Sequence, residues 1–207
     1  MKANCVLFDL DGVIIDTEPQ YDIFWGKMGE DYRLGIANFA HKIKGTTLPN
    51  ILSTYFSHLS EEEQAELCRK NREWELQMDL PLIPGAMEFI GELKRKGVKT
   101  GLVTSSDNIK LKRVFETLHL DGVFDTVVSA DRITQGKPDP MCYLLAAADL
   151  GVPPEQCIVF EDSFPGIAAG NAAGMAVIGL STTNTKEAIR EMVEMVIPDF
   201  VGITMDR

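Results

Sequence analysis

Short apolar segments alternate with segments of helical character along most of this chain, and this alternation restricts the folds open to it. Strands that alternate with helices of about 10–15 residues are typical of a parallel sheet covered by helices on both faces. The chain is therefore predicted to be an α/β protein. The apolar, strand-like runs lie at 4–10, 99–106, 124–129, 156–162 and 175–180, with a short edge strand and tail at 196–207. The segments with helix-boundary signals lie at 84–96, 107–118, 138–150, 163–173 and 185–195.

Residues 18–80 interrupt this alternation, because they contain helical patterns and few strand-like runs. The clearest helix is predicted at 60–78, where Ser60 is a suitable N-cap and Glu63 completes a capping box. Acidic residues crowd the first turn of that helix, where the helix dipole favours them. The segment is predicted to be helical throughout.

The composition is that of an ordinary globular protein. The chain has 207 residues, of which 45% are hydrophobic and 25% charged, enough for one large domain or for one domain with an insert. Disordered and fibrous classes are excluded. A formal net charge of −11 repels phosphate backbones and anionic lipid surfaces, so neither a nucleic acid nor a membrane is an expected partner. No apolar stretch approaches the roughly 18 residues of a membrane span.

Cysteine spacing bears on the cellular compartment. The cysteines are far apart, contain no CxxC pair and lie among apolar residues, which predicts buried free thiols in a reducing compartment. The first apolar run ends in charge without a small-residue cleavage site, so no signal peptide is expected. The predicted location is the cytoplasm, and a monomer is the default state. The cysteines are Cys5, Cys68, Cys142 and Cys157.

Polar residues follow the predicted strands at the points where those strands end. The carboxyl ends of parallel strands meet at one edge of a sheet, where α/β proteins bind their ligands. We therefore expect these side chains to lie close together. They are Asp9 and Asp11 after the first strand, Thr104, Ser105 and Ser106 after the next, Lys137 in the loop after 124–129, and Glu161 with Asp162.

Carboxylates gathered at one edge repel one another unless a cation lies between them. Ligands that are all oxygen favour a hard ion, with Mg²⁺ first. The ammonium of Lys137 can neutralise a nucleophilic carboxylate and also hold a phosphate oxygen. The hydroxyls of Thr104 and Ser105 precede a predicted helix, where they either cradle an anion or cap that helix.

These groups together favour phosphoryl transfer, which requires positioning, a metal ion and an in-line nucleophile. Asp9, on the strand, is best placed to attack phosphorus and form an aspartyl-phosphate. Asp11, in the following loop, is then free to protonate the leaving alkoxide and later to activate water.

Four short motifs occur in order along the chain: DLDGV at 9–13, VTSS at 103–106, GKPDP at 136–140 and FEDS at 160–163. Each is weak alone, but the ordered set is highly specific and resembles the haloacid dehalogenase superfamily of phosphatases and phosphomutases. The resemblance spans essentially the whole chain. It implies a Rossmann-like catalytic core formed by residues 1–17 and 81–207, with a helical cap at 18–80 that closes over the substrate.

The resemblance also implies roles for individual residues. It makes Asp9 the nucleophile, Asp11 the general acid and base, Thr104 a phosphate-binding hydroxyl and Lys137 the clamp on phosphate and nucleophile. Because dehalogenating members lack the second aspartate, phosphate chemistry is implied here. The implied Mg²⁺ ligands are Asp9, the backbone carbonyl of Asp11 and Asp162, with Glu161 in or beside the metal shell. Thr17 lies in the first hinge between core and cap, at 16–19, where it is expected either to touch the site or to pack within the hinge.

Within the superfamily the chain is similar to beta-phosphoglucomutases and to small sugar-phosphate phosphatases. The segment IKGTT at 43–47 is similar to a mutase pattern that continues with an arginine, but Leu48 follows here. A histidine that mutases carry shortly after the first motif is absent here, and Tyr21 lies near its expected position. Lys44 is either a substrate contact or a solvated lysine.

Three hypotheses about function follow. The first is a Mg²⁺-dependent phosphatase that hydrolyses a small phosphorylated metabolite, such as a sugar phosphate. The second is a phosphomutase acting on a hexose phosphate, against which Leu48 argues because it cannot grip a second phosphate. The third is a non-catalytic binding protein on the same fold.

Overall fold

The computed structural model describes residues 4–204, and within that range six strands form one parallel sheet. The order across the sheet and the parallel pairing confirm the predicted α/β fold. The strands are β1 (Cys5–Phe8), β2 (Lys99–Val103), β3 (Thr126–Val128), β4 (Cys157–Glu161), β5 (Ala176–Leu180) and β6 (Met195–Ile197). They are arranged as β3-β2-β1-β4-β5-β6.

Nine α-helices lie in the same described range, and none of them is both long and apolar enough to cross a lipid bilayer. Helices α5 and α6 pack on one face of the sheet, and α7 and α8 pack on the other. The helices are α1 (Glu18–Asp31), α2 (Phe39–Lys42), α3 (Leu48–Tyr55), α4 (Glu61–Gln77), α5 (Ala86–Arg95), α6 (Asn108–Leu118), α7 (Met141–Leu150), α8 (Phe164–Ala172) and α9 (Lys186–Ile189).

The central strand β1 is buried along its whole length. Its residues alternate between two apolar cores, with Phe8 in the core beneath α5 and Leu7 in the core beneath α7. The Phe8 ring stacks on the ring of Phe160 from β4, with 5.4 Å between the ring centres. Burial on both faces explains why this strand is an unbroken apolar run.

The direction in which the chain adds strands reverses between β1 and β4. From β1 the chain proceeds outward to β2 and β3, and then returns to β4, β5 and β6 on the other side. Loops leaving the carboxyl ends of β1 and β4 therefore diverge, and a crevice opens between them. This crevice receives the residues that follow each strand.

Helices α1 to α4 form a third apolar cluster between residues 18 and 80. Phe24, Trp25, Phe56 and Leu67 are buried there, apart from both sheet cores. The predicted helical character of the segment is confirmed. The capping box of α4 is also confirmed, with Ser60 and Glu63 each accepting a hydrogen bond from the other's backbone N–H.

The structure corrects two predictions. The helix expected at 185–195 ends at Ile189, and Met195 already belongs to β6, where it pairs with Ile178 of β5. Pairing with the open edge of the sheet outweighs the local helical spacing there. Cys68 was expected to be buried, but it is half-buried, whereas the other three free thiols are buried. The tail at 205–207 and residues 1–3 lie outside the described residues.

Candidate active site

Asp9 follows β1 directly and pairs with a lysine from a distant loop. The Nζ of Lys137, in the loop between β3 and α7, lies 2.6 Å from Oδ1 of Asp9, and both side chains are buried. Burial raises the pKa of Asp9 to about 7, although the charge of Lys137 opposes that rise. The structure thus brings the predicted nucleophile and its predicted clamp together.

Glu161, at the end of β4, anchors the other side of Lys137. Its Oε1 lies 2.5 Å from Lys137 Nζ and accepts a hydrogen bond from the Tyr143 hydroxyl at 3.1 Å. Its Oε2 accepts from the backbone N–H groups of Asp162 and Ser163. Burial opposes ionisation of Glu161, but Lys137 and Ser163 outweigh it, and its pKa is lowered. Glu161 is therefore a charged, fully bonded support for Lys137.

Asp9, Glu161 and Asp162 form a buried carboxylate cluster, in which one oxygen of each residue lies within 4.8 Å of the others. Burial and the nearby charge of Glu161 raise the pKa of Asp162 well above its usual value. Its side chain accepts a hydrogen bond from Thr183, and neither Lys137 nor another lysine or arginine of the described chain forms an ion pair with it. Three buried carboxyl groups that share one lysine offer a set of oxygen donors that fits a hard divalent cation.

Asp11 lies beside this cluster and is bound by donors from three elements. Ser106, after β2, donates to it at 3.1 Å, and Thr17, just before α1, donates to its other oxygen. The Nζ of Lys110 in α6 lies 2.6 Å from both carboxylate oxygens. The expected contact of Thr17 with the site is confirmed.

Lys110 is a site residue that the sequence analysis missed. It is almost fully buried and lies in the first turn of α6, where the positive end of the helix dipole makes a lysine unfavourable. A lysine in the first turn of a predicted helix could have indicated a functional role, because residues that break a local rule of helix formation are often functional. Its spacing from Asp11, 99 residues along the chain, carries no signal of its own.

Thr104 and Ser105 line the crevice at the end of β2. The hydroxyl of Thr104 accepts a hydrogen bond from the Ser106 backbone N–H at 3.0 Å, and that of Ser105 donates to the Gly45 carbonyl at 3.0 Å. Neither caps α6, because Asp107 is its N-cap. Of the two roles considered for these hydroxyls, helix capping is therefore wrong.

A cavity of about 380 Å³ lies between this edge of the sheet and helices α1, α3 and α4. Asp9, Asp11 and Asp162 line its floor, and Lys44 and Leu48 line its opposite side. The Nζ of Lys44 lies 3.1 Å from Glu18 and 3.0 Å from Asp22. Lys44, one predicted role of which is to contact substrate, thus lines the cavity while its ammonium is paired with two carboxylates.

The chain is similar to known proteins in both sequence and fold. The sequence profile of a hydrolase family, the haloacid dehalogenase-like hydrolases, matches residues 3–174. The chain belongs to this family. The resemblance carried by the four motifs is confirmed. The predicted enzyme class, a phosphoric monoester hydrolase, is also confirmed, because both the family and the phosphatase relatives support it.

The relatives of this haloacid dehalogenase-like hydrolase include a phosphatase and a phosphomutase. It is 33% identical to the phosphorylated carbohydrates phosphatase of Thermotoga maritima, covering 83% of this chain and 82% of that one. It is 31% identical to the beta-phosphoglucomutase of Bacillus subtilis, covering 87% and 83%. Among solved structures, a family IA hydrolase from Entamoeba histolytica superimposes with a TM-score of 0.83 at 27% identity, covering 99% of this chain and 96% of that chain.

Proposed function

We propose that this hydrolase is a Mg²⁺-dependent phosphatase that cleaves a small phosphorylated metabolite, a sugar phosphate, through an aspartyl-phosphate on Asp9. The observation that carries the proposal is the buried Asp9–Lys137 pair beside Glu161 and Asp162, at the floor of a metabolite-sized cavity. Asp11 faces the same cavity. The proposed nucleophile Asp9, the proposed acid Asp11 and the phosphate-binding ammonium of Lys137 therefore lie together at the cavity floor.

In the first half-reaction, a carboxylate oxygen of Asp9 attacks phosphorus while the ester P–O bond breaks. Asp11 gives its proton to the departing alkoxide, so that a neutral alcohol leaves. In the second half-reaction, Asp11 accepts a proton from water as the water oxygen attacks the phosphorus of phospho-Asp9. The P–O bond to Asp9 breaks, inorganic phosphate is released and the carboxylate is restored.

Lys137 and Thr104 would hold the non-bridging phosphate oxygens, with Ser105 beside them. Lys137 also favours the ionised form of Asp9 against the effect of burial and orients it, because Glu161 fixes its ammonium. Asp9, Asp162 and the carbonyl of Asp11 would hold Mg²⁺, with Glu161 beside the ion, because both oxygens of Glu161 already accept hydrogen bonds. When bound, the ion supplies positive charge that offsets the repulsion between these carboxylates and the phosphate.

We propose that residues 18–80 act as a cap over a catalytic core made of 1–17 and 81–207. The contacts that join the helical segment to the core include two beside the cavity. Ser105 bonds to the Gly45 carbonyl, and Arg72 of α4 forms a two-point ion pair with Asp107. A closed segment excludes water from the charged floor and strengthens its electrostatics.

A phosphomutase acting on a hexose phosphate is the second candidate, favoured by the 31% identity to a beta-phosphoglucomutase. Leu48 and the paired state of Lys44 count against it, since a mutase must hold a second phosphate. A non-catalytic binding protein is the third candidate. This candidate has the least support, because every reactive group that phosphoryl transfer needs is present.

A panel of phosphorylated metabolites tests these candidates. We expect release of inorganic phosphate that requires Mg²⁺, and no formation of glucose 6-phosphate from beta-glucose 1-phosphate in a coupled assay. Rapid isomerisation without phosphate release would favour the mutase. Absence of turnover across the panel with Mg²⁺ present would leave only the binding protein.

The cytoplasm and a monomeric state are part of the same proposal. The free thiols of Cys5, Cys142 and Cys157 support a reducing compartment. Size-exclusion chromatography with light scattering tests the monomer, and fractionation of cells tests the location.

A further inference from the structure

The cavity above the catalytic edge has two chemically different walls. Helix α3 contributes an apolar wall, in which Leu48 and Leu52 are one turn apart and half-buried beside Ile51. Helix α4 contributes a polar wall formed by Asn71 and Glu75, again one turn apart. A ligand between them must present hydrocarbon to one side and polar groups to the other.

The polar wall contains an acceptor without a donor. Oδ1 of Asn71 is buried and has no hydrogen-bond partner within the described part of the chain. Its neighbour Glu75 is satisfied, because it accepts from the Tyr21 hydroxyl at 3.0 Å and pairs with Arg72 at 3.3 Å. A buried amide oxygen left unpaired is costly, so a ligand hydroxyl at this wall would gain a hydrogen bond.

The cavity offers no free positive charge to a second anion. Lys44 is the cation among its described lining residues, and its ammonium lies between Glu18 and Asp22. Its side chain is only 9% exposed, so a phosphate would have to displace a carboxylate to reach it. The other charged residues among the described lining residues are all carboxylates: Asp9, Asp11, Glu18, Glu75, Asp107, Asp131 and Asp162.

We propose that the leaving group of the substrate is an uncharged, sugar-like alcohol, and that the enzyme excludes esters carrying a second phosphate. The hydrocarbon face of the alcohol packs on Leu48 and Leu52, and a hydroxyl donates to Asn71. This inference rests on the proposed phosphatase function and specifies its substrate. The single phosphate binds at the floor, where Lys137 lies.

The first test compares two esters of one sugar. We expect the wild type to hydrolyse glucose 6-phosphate with a kcat/KM at least about tenfold above that for glucose 1,6-bisphosphate. Calorimetry with the Asp9→Asn variant and Mg²⁺ measures the binding ratio without turnover. Equal or tighter binding of the bisphosphate would overturn the inference.

The second test releases Lys44. The double variant Glu18→Gln, Asp22→Asn removes both carboxylates that face its ammonium, and it should shift the binding ratio toward the bisphosphate by about tenfold. Adding Lys44→Met should cancel that shift. Asp31→Asn, which breaks the exposed Lys27–Asp31 pair on the same helix, is the control and should leave the ratio unchanged.

The third test addresses the polar wall. Asn71→Leu should lower kcat/KM for glucose 6-phosphate about tenfold and leave that for p-nitrophenyl phosphate near the wild-type value. An unchanged ratio between the two substrates would contradict the role of Asn71.

p-Nitrophenyl phosphate separates the two proposals. If it is hydrolysed and the bisphosphate is preferred, the substrate inference is wrong and the phosphatase stands. If no ester is hydrolysed, the phosphatase is wrong, and the calorimetric ratio still decides whether the cavity excludes a second phosphate.

Discussion

The ammonium nitrogen of Lys110 lies 2.6 Å from each carboxylate oxygen of Asp11. It also lies 4.8 Å from the centre of the Tyr21 ring, so α1 covers the pair on the side of the helical segment. Removing one partner of a buried ion pair is costly, because the other charge is left unpaired. The two residues therefore hold each other in place, and the acid of the proposed reaction is fixed by a group outside the four motifs.

Lys110→Met should lower kcat for sugar phosphates by about 10- to 100-fold, because Asp11 loses orientation as a proton donor. The loss should be smaller for p-nitrophenyl phosphate, whose leaving group needs no proton. Steady-state kinetics on both substrates measures the difference. Lys112→Met, whose side chain is 75% exposed, is the control. An equal loss on both substrates would show a structural effect instead of a positioning one.

Asp9→Asn should abolish turnover and the covalent phosphoenzyme, because an amide is a very poor nucleophile. Asp11→Asn should be severely slowed on alkyl phosphates and should still form a phosphoenzyme from p-nitrophenyl phosphate. Acid-quenched labelling followed by mass spectrometry detects the adduct. Full activity of Asp9→Asn would refute the assignment of the nucleophile.

Removal of divalent metal should stop turnover, and Mg²⁺ should restore it. Ca²⁺ should inhibit, because its longer bonds disturb in-line geometry. In a Mg²⁺ titration after chelator treatment, Asp162→Ala should need more metal, whereas Lys137→Ala should slow chemistry with metal affinity unchanged or higher. Undiminished turnover in excess chelator would rule out the metal site.

Asp107→Asn should weaken the link between α4 and α6 while keeping a side-chain acceptor at the N-cap. Burial opposes ionisation of Asp107, but Arg72 and the N-cap bonds outweigh it and lower its pKa. Its stabilising charge is thus complete above the usual value near 3.9 and is lost as the pH falls through the lowered pKa.

The free energy of unfolding should therefore be about 1 kcal/mol higher for the wild type than for Asp107→Asn at pH 7, since the pair is partly exposed. The difference should shrink toward zero in strong acid. Urea denaturation of both proteins at several pH values measures it. A difference that grows as the pH falls would contradict this sign.

Phe160→Ala should lower the free energy of unfolding by about 3–5 kcal/mol, because the ring is fully buried between Phe8 and Phe89. Phe164→Ala, at the start of α8, is the matched control, since that ring is 39% exposed. Urea denaturation of the two variants compares them. Similar losses in both would contradict the assignment of the core.

Local pattern was sufficient for most of the fold. Buried parallel strands are apolar along their whole length, and Gly, Pro and capping residues end the helices between them. The α/β alternation can therefore be predicted from short segments of sequence. The capping box of Ser60 and Glu63 is such a local device. The pattern failed at 185–195, because pairing with the edge of β5 is a long-range interaction that outweighs helical spacing.

By itself the sequence determined the order of strands and helices and the family motifs that carry Asp9, Lys137 and Asp162, because these depend on residue type and short spacing. Only the tertiary structure decided which charges meet. Lys110 reaches Asp11 across 99 residues, and Lys44 is paired with Glu18. The strength of an ion pair depends on the distance between two charged side chains in the folded protein. That distance cannot be predicted from the number of residues that separate them along the chain.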